Sequence, residues 1–255
     1  MSIKSRILLV FLCAAWFSLA ACNRAEDANT ARIAVASNFQ TAMVALETDF
    51  EASSVYQIDT VYGSTGKLYA QITQGAPFEA FLAADQSRPE RLETDGAAVY
   101  GSRFTYARGQ LALWAPSKDE VSAAILQAGD FSRLALANPD LAPYGLAAAE
   151  TLTALGAFET TAAQHVLGES VGQTFAFVST GNAPVGFVSY AQILSLPKDQ
   201  VGGLWLPPSE LYSPIDQDFV LLNRGARNAA AIGFMNYLQT PRAKELIARY
   251  GYQTP

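Results

Sequence analysis

Val61-Tyr-Gly-Ser-Thr-Gly-Lys-Leu-Tyr-Ala-Gln-Ile72, with the segment that follows it, Thr73-Gln-Gly-Ala-Pro-Phe-Glu-Ala-Phe-Leu-Ala-Ala-Asp85, decides how this chain is read. The first stretch has the pattern of a strand ending in a small-residue turn that opens a helix, and the second that of a strand ending at Asp85. Ser64, Thr65 and Gly66 then place hydroxyls and backbone N–H groups at a helix N-terminus. The first amides of a helix lack intrahelical acceptors and the macrodipole is positive there, which suits an oxyanion. A phosphate-binding loop is a different matter. It needs glycine five residues before Gly66 and a hydroxyl residue after Lys67, and the chain has Val61 and Leu68. Lys67 therefore reads as a solvated first-turn residue.

Three further places share the design of a strand or loop, a small or turn residue, and a helix start. Ser37-Asn38 follows Ile33-Ala-Val-Ala36; Pro143-Tyr144-Gly145 follows Leu134–Asp140; Glu169-Ser170-Val171 opens a helix carrying Val171, Phe175 and Val178. Taken singly, each is an ordinary helix cap. Taken together, with two in each half of the molecule, they can converge beyond the carboxyl ends of the strands, where open parallel sheets bind ligands.

Short apolar runs alternate with helical patterns along the chain, which predicts an α/β fold with largely parallel sheets. The expected strands are Arg32–Ala36, Ile58–Tyr62, Ala80–Ala84, Gln110–Trp114, Leu134–Ala137, Val185–Val188 and Phe219–Leu222. The first helix is expected from Asn38 to about Ala52, with Phe39, Ala42, Met43, Leu46 and Phe50 as its buried face. Ala231, Phe234, Met235 and Leu238 repeat that spacing, and a last helix begins at Thr240-Pro241, a cap followed by proline at the first helical position. Composition changes at Pro116–Asp119 and near Pro207-Pro208. The strands Tyr106–Trp114 and Asp216–Leu222 can both pass between lobes, giving one lobe from residues 31–107 with 208–255 and an inserted one from residues 108–207.

The N-terminus is a targeting segment. Lys4 and Arg6 precede an apolar run from Ile7 to Ala21, shorter than the ~20 residues a membrane span needs. It ends in Leu19-Ala20-Ala21-Cys22, which resembles the lipobox of bacterial lipoproteins. Residues 1–22 are thus expected to be a lipoprotein-type signal with Cys22 as its acylated cysteine, and residues 23–30 a polar tether. A plain secretory signal cut near Ala21 is the alternative. With Cys13 inside the leader, the mature chain keeps only Cys22, so disulfides, cysteine metal sites and thiol catalysis are excluded. The formal net charge is −6, and no basic stripe exists to bind nucleic acid. Half of the residues are hydrophobic, enough for a sizeable core. No internal repeat is visible, and a monomer is expected.

Other chemistry fares poorly. His165, the single histidine, is expected on an exposed helix, and no G-x-S-x-G motif accompanies it. Asp85 and Glu79 could form a carboxylate pair, but Asp85 reads better as the cap of the helix that follows. No cluster has metal-ligand spacing.

Gly63-Ser-Thr-Gly-Lys-Leu-Tyr-Ala-Gln-Ile72, Gly75-Ala-Pro-Phe78, Phe81-Leu-Ala-Ala-Asp85 and Ala183-Pro-Val-Gly-Phe-Val188 closely resemble the molybdate-binding proteins of bacterial ABC transporters. Ala34-Val-Ala-Ser37 and Ala248-Arg-Tyr-Gly-Tyr252 fit as well, and the likeness spans the mature chain in order. The resemblance implies the two-lobed periplasmic binding fold of type II, each lobe a mostly parallel sheet flanked by helices. It also implies capture of molybdate or tungstate by neutral donors and delivery to an ABC permease, without catalysis and without a cofactor. By position, Ser37 and Thr65, with Ser64 beside it, would give hydroxyls and amides, and Tyr144 and Val171 backbone N–H groups. One branch of the family adds a tyrosine hydroxyl where this chain has Ser189, with Tyr190 next to it. Either Ser189 takes that contact, or Tyr190 reaches in, or the contact is missing. Receptors for sulfate, another oxyanion or a ferric complex are rivals of the same class, and a hydrolase using His165 is a rival of another.

Overall fold

The structure is a computed structural model that describes residues 29–255. The leader, Cys22 and the tether up to residue 28 lie outside the described residues, and the expected lipid anchor with them.

The described strands form two five-stranded sheets. In the first, β1 (Thr30–Ala36) runs parallel to β2 (Gln57–Gly63) on one side and β3 (Ala80–Leu82) on the other. Beyond β3 lies β10 (Ile215–Leu221), antiparallel to it, and β4 (Phe104–Gly109) forms the edge antiparallel to β10. In the second, β6 (Leu134–Ala137) runs parallel to β7 (His165–Gly168) and β8 (Val185–Ser189). β5 (Leu111–Ala115) is antiparallel to β8, and β9 (Gly203–Trp205) is antiparallel to β5. Strand order and direction match position by position, so the sheets repeat a plan that no sequence repeat announces. Each is parallel at the β1 or β6 side and antiparallel at the other.

Parallel neighbours require crossovers, and helices supply them. α1 (Gln40–Ser53) and α2 (Thr65–Thr73) link the parallel strands of the first sheet. α3 (Ser87–Thr94) lies between β3 and β4, and α4 (Ala123–Ala128) between β5 and β6. α5 (Pro143–Ala154) and α6 (Val171–Ser179) link the parallel strands of the second sheet, and α7 (Tyr190–Leu194) follows β8. α8 (Ala229–Leu238) and α9 (Pro241–Arg249) end the chain. The chain enters the second sheet at Gln110, the one residue between β4 and β5, and returns between β9 and β10.

The first helix meets its expectation on the buried face: Ala42, Met43, Leu46 and Phe50 pack into a core with Ile33, Phe219 and Phe234. Burying a Leu or Phe side chain contributes ~1.5–3 kcal/mol, so this face holds α1 in place despite its weak amphipathicity. Residues Ser37–Phe39 form a 3-10 turn before it, so regular α-helix starts at Gln40 rather than at Asn38. A second core, with Leu111, Leu134, Leu152 and Phe187, lies under the other sheet. Thr240 caps α9 by accepting the Ala243 N–H at 3.2 Å.

His165 is a correction. It opens β7 rather than riding an exposed helix, because only a short 3-10 turn, Ala162–Gln164, precedes it. Its ring is half-buried edge-on to Phe158, with Nε2 2.8 Å from Thr161 Oγ1. Burial lowers its pKa. β10 begins at Ile215, one residue before the expected inter-lobe strand Asp216–Leu222 and ahead of the apolar run from Phe219, and Gln217 and Asp218 within it are buried. β3 stops at Leu82, since the Ala83 N–H turns to the Asp218 carbonyl at 3.0 Å and the Ala84 N–H to Thr65 Oγ1 at 3.1 Å.

Candidate functional site

Four strand-to-helix turns meet between the sheets. In the first lobe, β1 delivers Ser37 and Asn38 into the 3-10 turn ahead of α1, and β2 delivers Ser64 and Thr65 to the start of α2. Ser64 is the N-cap of α2 and accepts the Lys67 N–H at 3.3 Å, which leaves its hydroxyl proton free for another acceptor. Thr65 accepts the Ala84 N–H, so it too can donate outward. In the second lobe, Pro143 occupies the first turn of α5, where a missing N–H costs nothing, and Tyr144 follows it. Ser170 caps α6 by accepting the Gln173 N–H at 3.2 Å, and Val171 follows as the first helical residue.

One pocket of about 10 Å³ is lined by Ser37, Asn38, Ser64 and Thr65 on one wall and by Pro143, Tyr144 and Val171 on the other. No lysine or arginine is among its lining residues. Ser64, Thr65, Tyr144 and Val171 are all buried. The amides of Thr65, Tyr144 and Val171 lie in first turns, where no intrahelical carbonyl reaches them. What the pocket offers is therefore hydroxyl and amide hydrogens together with the positive ends of helices.

The walls are in contact. The Gly172 N–H donates to Ser37 Oγ at 3.2 Å, and on the other flank the Gly66 N–H donates to the Leu141 carbonyl at 2.8 Å. Lys67 pairs with Glu169 at 2.5 Å across the cleft, both ends well exposed, so the pair contributes little energy but sits at the mouth. Arg88 is paired with Asp85 and donates to the Asp140 carbonyl at 3.0 Å. A wider cavity of ≈ 570 Å³ opens beside these groups, lined among others by Tyr69, Arg88, Arg91 and Leu146. Arg88 and Asp85 of this cavity are bound to each other, whereas the small pocket is lined by the starts of helices from both lobes.

Ser37, Ser64, Thr65, Tyr144 and Val171 thus come together, and Ser189 and Tyr190 stand apart from them. Ser189 is fully buried at the end of β8. Its hydroxyl donates to the Tyr144 hydroxyl at 3.0 Å, and its N–H donates to Gln192 Oε1 at 3.0 Å. The Tyr190 N–H donates to the Gln110 carbonyl at 2.9 Å, and its partly buried ring packs against the second-lobe core that holds Trp114, Val188 and Ile193. Burial holds the Tyr144 phenol well above its ordinary pKa, so it stays neutral. Asn38 lines the pocket as well, although sequence reading named it only as the second residue of the Ser37-Asn38 turn and not among the ligand residues. Its position, second in a helix-opening turn, was the available signal.

Two lobes of matching plan, with helix N-termini from both facing one crevice, define a two-lobed periplasmic solute-binding protein. A family model described as bacterial extracellular solute-binding protein matches residues 31–253, and the chain belongs to that family. Among its relatives, the molybdate-binding protein ModA of Azotobacter vinelandii is 44% identical over 230 residues, 89% of this chain and 91% of the relative. ModA of Rhodobacter capsulatus is 44% identical over 223 residues, 87% of each chain. The solved periplasmic molybdate-binding protein of Azotobacter vinelandii superposes with a TM-score of 0.84 at 36% identity, covering 88% of this chain and 99% of that one.

Proposed function

We propose that this protein captures molybdate or tungstate between its lobes and delivers it to an ABC permease, acting as a carrier without catalysing a reaction. The observation that carries the reading is the single pocket in which Ser37, Ser64, Thr65, Tyr144 and Val171 meet with no cationic side chain. We include Asn38 in the ligand set. The names of the relatives at 44% identity point the same way.

The chemistry fits a doubly charged tetrahedral anion. Taking such an ion out of water costs several kcal/mol unless its oxygens are hydrogen-bonded. Hydrogen bonds to a charged acceptor are about twice as strong as neutral ones. A helix N-terminus in partly buried geometry adds up to ~2 kcal/mol. A cavity built from donors disfavours phosphate, which keeps a proton near neutral pH and needs an acceptor for it. Sulfate carries no such proton and must be rejected by size, its shorter bonds leaving the donors too far away. Molybdate and tungstate are nearly equal in size, so both belong to the proposal. Seating either requires Ser37 Oγ to release the Gly172 N–H, so the walls must part and close again. Residues 31–107 with 208–255 would form one moving body and residues 108–207 the other. Capture then favours the closed state, because only that state lets both lobes touch the ion. In this reading Cys22 is acylated and anchors a monomeric receptor to the membrane surface, and Ser189 supports the site from behind Tyr144.

A thermal-shift screen tests the reading. Ligand bound to the folded state alone stabilises by RT ln(1 + [L]/Kd), or ~2.7 kcal/mol at a hundred times Kd. Molybdate and tungstate should raise the melting temperature by several degrees, with sulfate, phosphate and ferric citrate leaving it within a degree. A shift confined to sulfate or ferric citrate would instead favour one of those receptors.

A further inference from the structure

Directly behind the pocket, six polar side chains are buried together without a charge among them. Asn38, Tyr106, Gln217 and Tyr252 come from the first lobe, Tyr144 and Ser189 from the second. Gln217 sits at their centre, fully buried on β10. Its Oε1 accepts from Asn38 Nδ2 at 2.9 Å and from the Tyr106 hydroxyl at 3.1 Å. Its Nε2 faces the Tyr144 hydroxyl oxygen at 3.5 Å, the same oxygen that receives the Ser189 hydroxyl at 3.0 Å. Tyr252 completes the cluster by donating to the Asn38 carbonyl at 2.7 Å.

Room for the meeting of Gln217 and Tyr144 is made by Gly109, the last residue of β4 before the chain crosses between lobes. A Cβ there would lie 2.0 Å from the Tyr144 hydroxyl and 2.7 Å from Gln217 Nε2. The choice of side chain is informative. A position filled for packing alone would take leucine, since a buried amide is costly unless its groups are paired. An amide accepts from two donors and donates to a third without adding charge, which a carboxylate beside an anion site could not do. Burial keeps the Tyr106 and Tyr144 phenols protonated, so the donor and acceptor roles are fixed.

We propose that Gln217 is a positioning residue for the anion site, its amide joining Asn38 on one wall of the pocket to Tyr144 on the other so that both present their amides together when the lobes close. The inference rests on the function proposed above. Neither Gln217 nor the Tyr144 hydroxyl touches the ion; each acts through the main chain of a residue that lines the pocket.

Gln217→Leu removes the amide, and Tyr144→Phe removes only the phenol while keeping the backbone N–H. Molybdate titration calorimetry on the wild type, both single variants and the double variant reads the link, with thermal unfolding of ligand-free protein alongside. Each single variant should bind molybdate about tenfold more weakly, and the double variant should lose little beyond the worse single, since one link is broken in all three. Damage to packing alone would lower the melting temperature and leave affinity where it was. Unchanged affinity in both single variants, or losses that multiply in the double, overturns the inference. If Gln217→Leu does not fold, Tyr144→Phe decides alone by the same criterion. A wild type that binds no molybdate overturns the proposed function and this inference with it; a wild type that binds beside unaffected variants overturns only this one.

Discussion

Ser37 and Thr65 carry hydroxyls to the same pocket wall, but their surroundings differ. Ser37 Oγ has its partner across the cleft, the Gly172 N–H, while Thr65 Oγ1 also accepts the Ala84 N–H inside its own lobe. Ser37→Ala combined with Thr65→Ala should therefore weaken molybdate binding about tenfold or more, at ~1.4 kcal/mol per tenfold. Thr65→Ala should also cost ~1–3 kcal/mol of ligand-free stability by orphaning a buried amide, and Ser37→Ala almost none. Calorimetry and urea unfolding separate the two effects, and unchanged affinity in the double variant removes both hydroxyls from the site. Sequence marked these positions as helix-opening hydroxyls, each an ordinary cap when taken alone, and only their number in both halves of the chain and the family resemblance set them apart. The role of Gln217 was not legible: it falls in the expected strand Asp216–Leu222, but between two aspartates nothing shows that it is buried among three tyrosines and Asn38. Ser189 was read as a possible ligand because it stands where one branch of the resembled family has a tyrosine, whereas its hydroxyl turns to the phenol behind the pocket.

Helices α2 and α6 each place a pocket residue first and a glycine second, Thr65 with Gly66 and Val171 with Gly172. Both glycines approach the opposite lobe. A Cβ on Gly66 would lie 3.0 Å from Leu141 Cα and from its carbonyl oxygen, and one on Gly172 would lie 3.1 Å from Ser37 Cβ. Backbone at Leu141 cannot yield as a side-chain tip can, so Gly66→Ala should act as a wedge. Alanine is also the better helix former by ~1 kcal/mol. The expected outcome is a pair of opposite signs: ligand-free melting temperature held or raised, and molybdate affinity reduced severalfold. Calorimetry with thermal unfolding checks it, and an affinity at the wild-type level would mean that the lobes need not approach this closely. α9, with its strong helical periodicity, the buried face of α1 and the apolar run of β6 were readable from the chain alone. The four-residue β7 and the three-residue β9 were not, because an edge strand of that length shows no alternation to read. The shared plan of the two sheets was equally hidden, since strand order depends on where apolar faces are buried and not on repeated residue identities.

At the scale of the whole molecule, a chain with a formal net charge of −6 is proposed to take up a dianion. Net charge sets the field far from the surface, and helix ends and amides set it within a few ångströms of the pocket. The cations at the cleft are already neutralised: Lys67 pairs with Glu169 and Arg88 with Asp85. Approach should thus be opposed by the protein as a whole and rewarded only at the end. Salt weakens the first effect, since the Debye length shrinks from ~30 Å at 0.01 M to ~8 Å at 0.15 M, and it hardly touches bonds made in a closed, water-excluding pocket. The association rate for molybdate, followed by stopped flow, should rise as sodium chloride goes from the lower concentration to the higher, while the dissociation rate stays nearly constant. Receptors that hold anions with lysine or arginine show the reverse, steered encounters that slow with salt. An association rate that falls with added salt would therefore place an unpaired positive field at the mouth of the cleft, and the neutral-donor account of capture would have to yield to it.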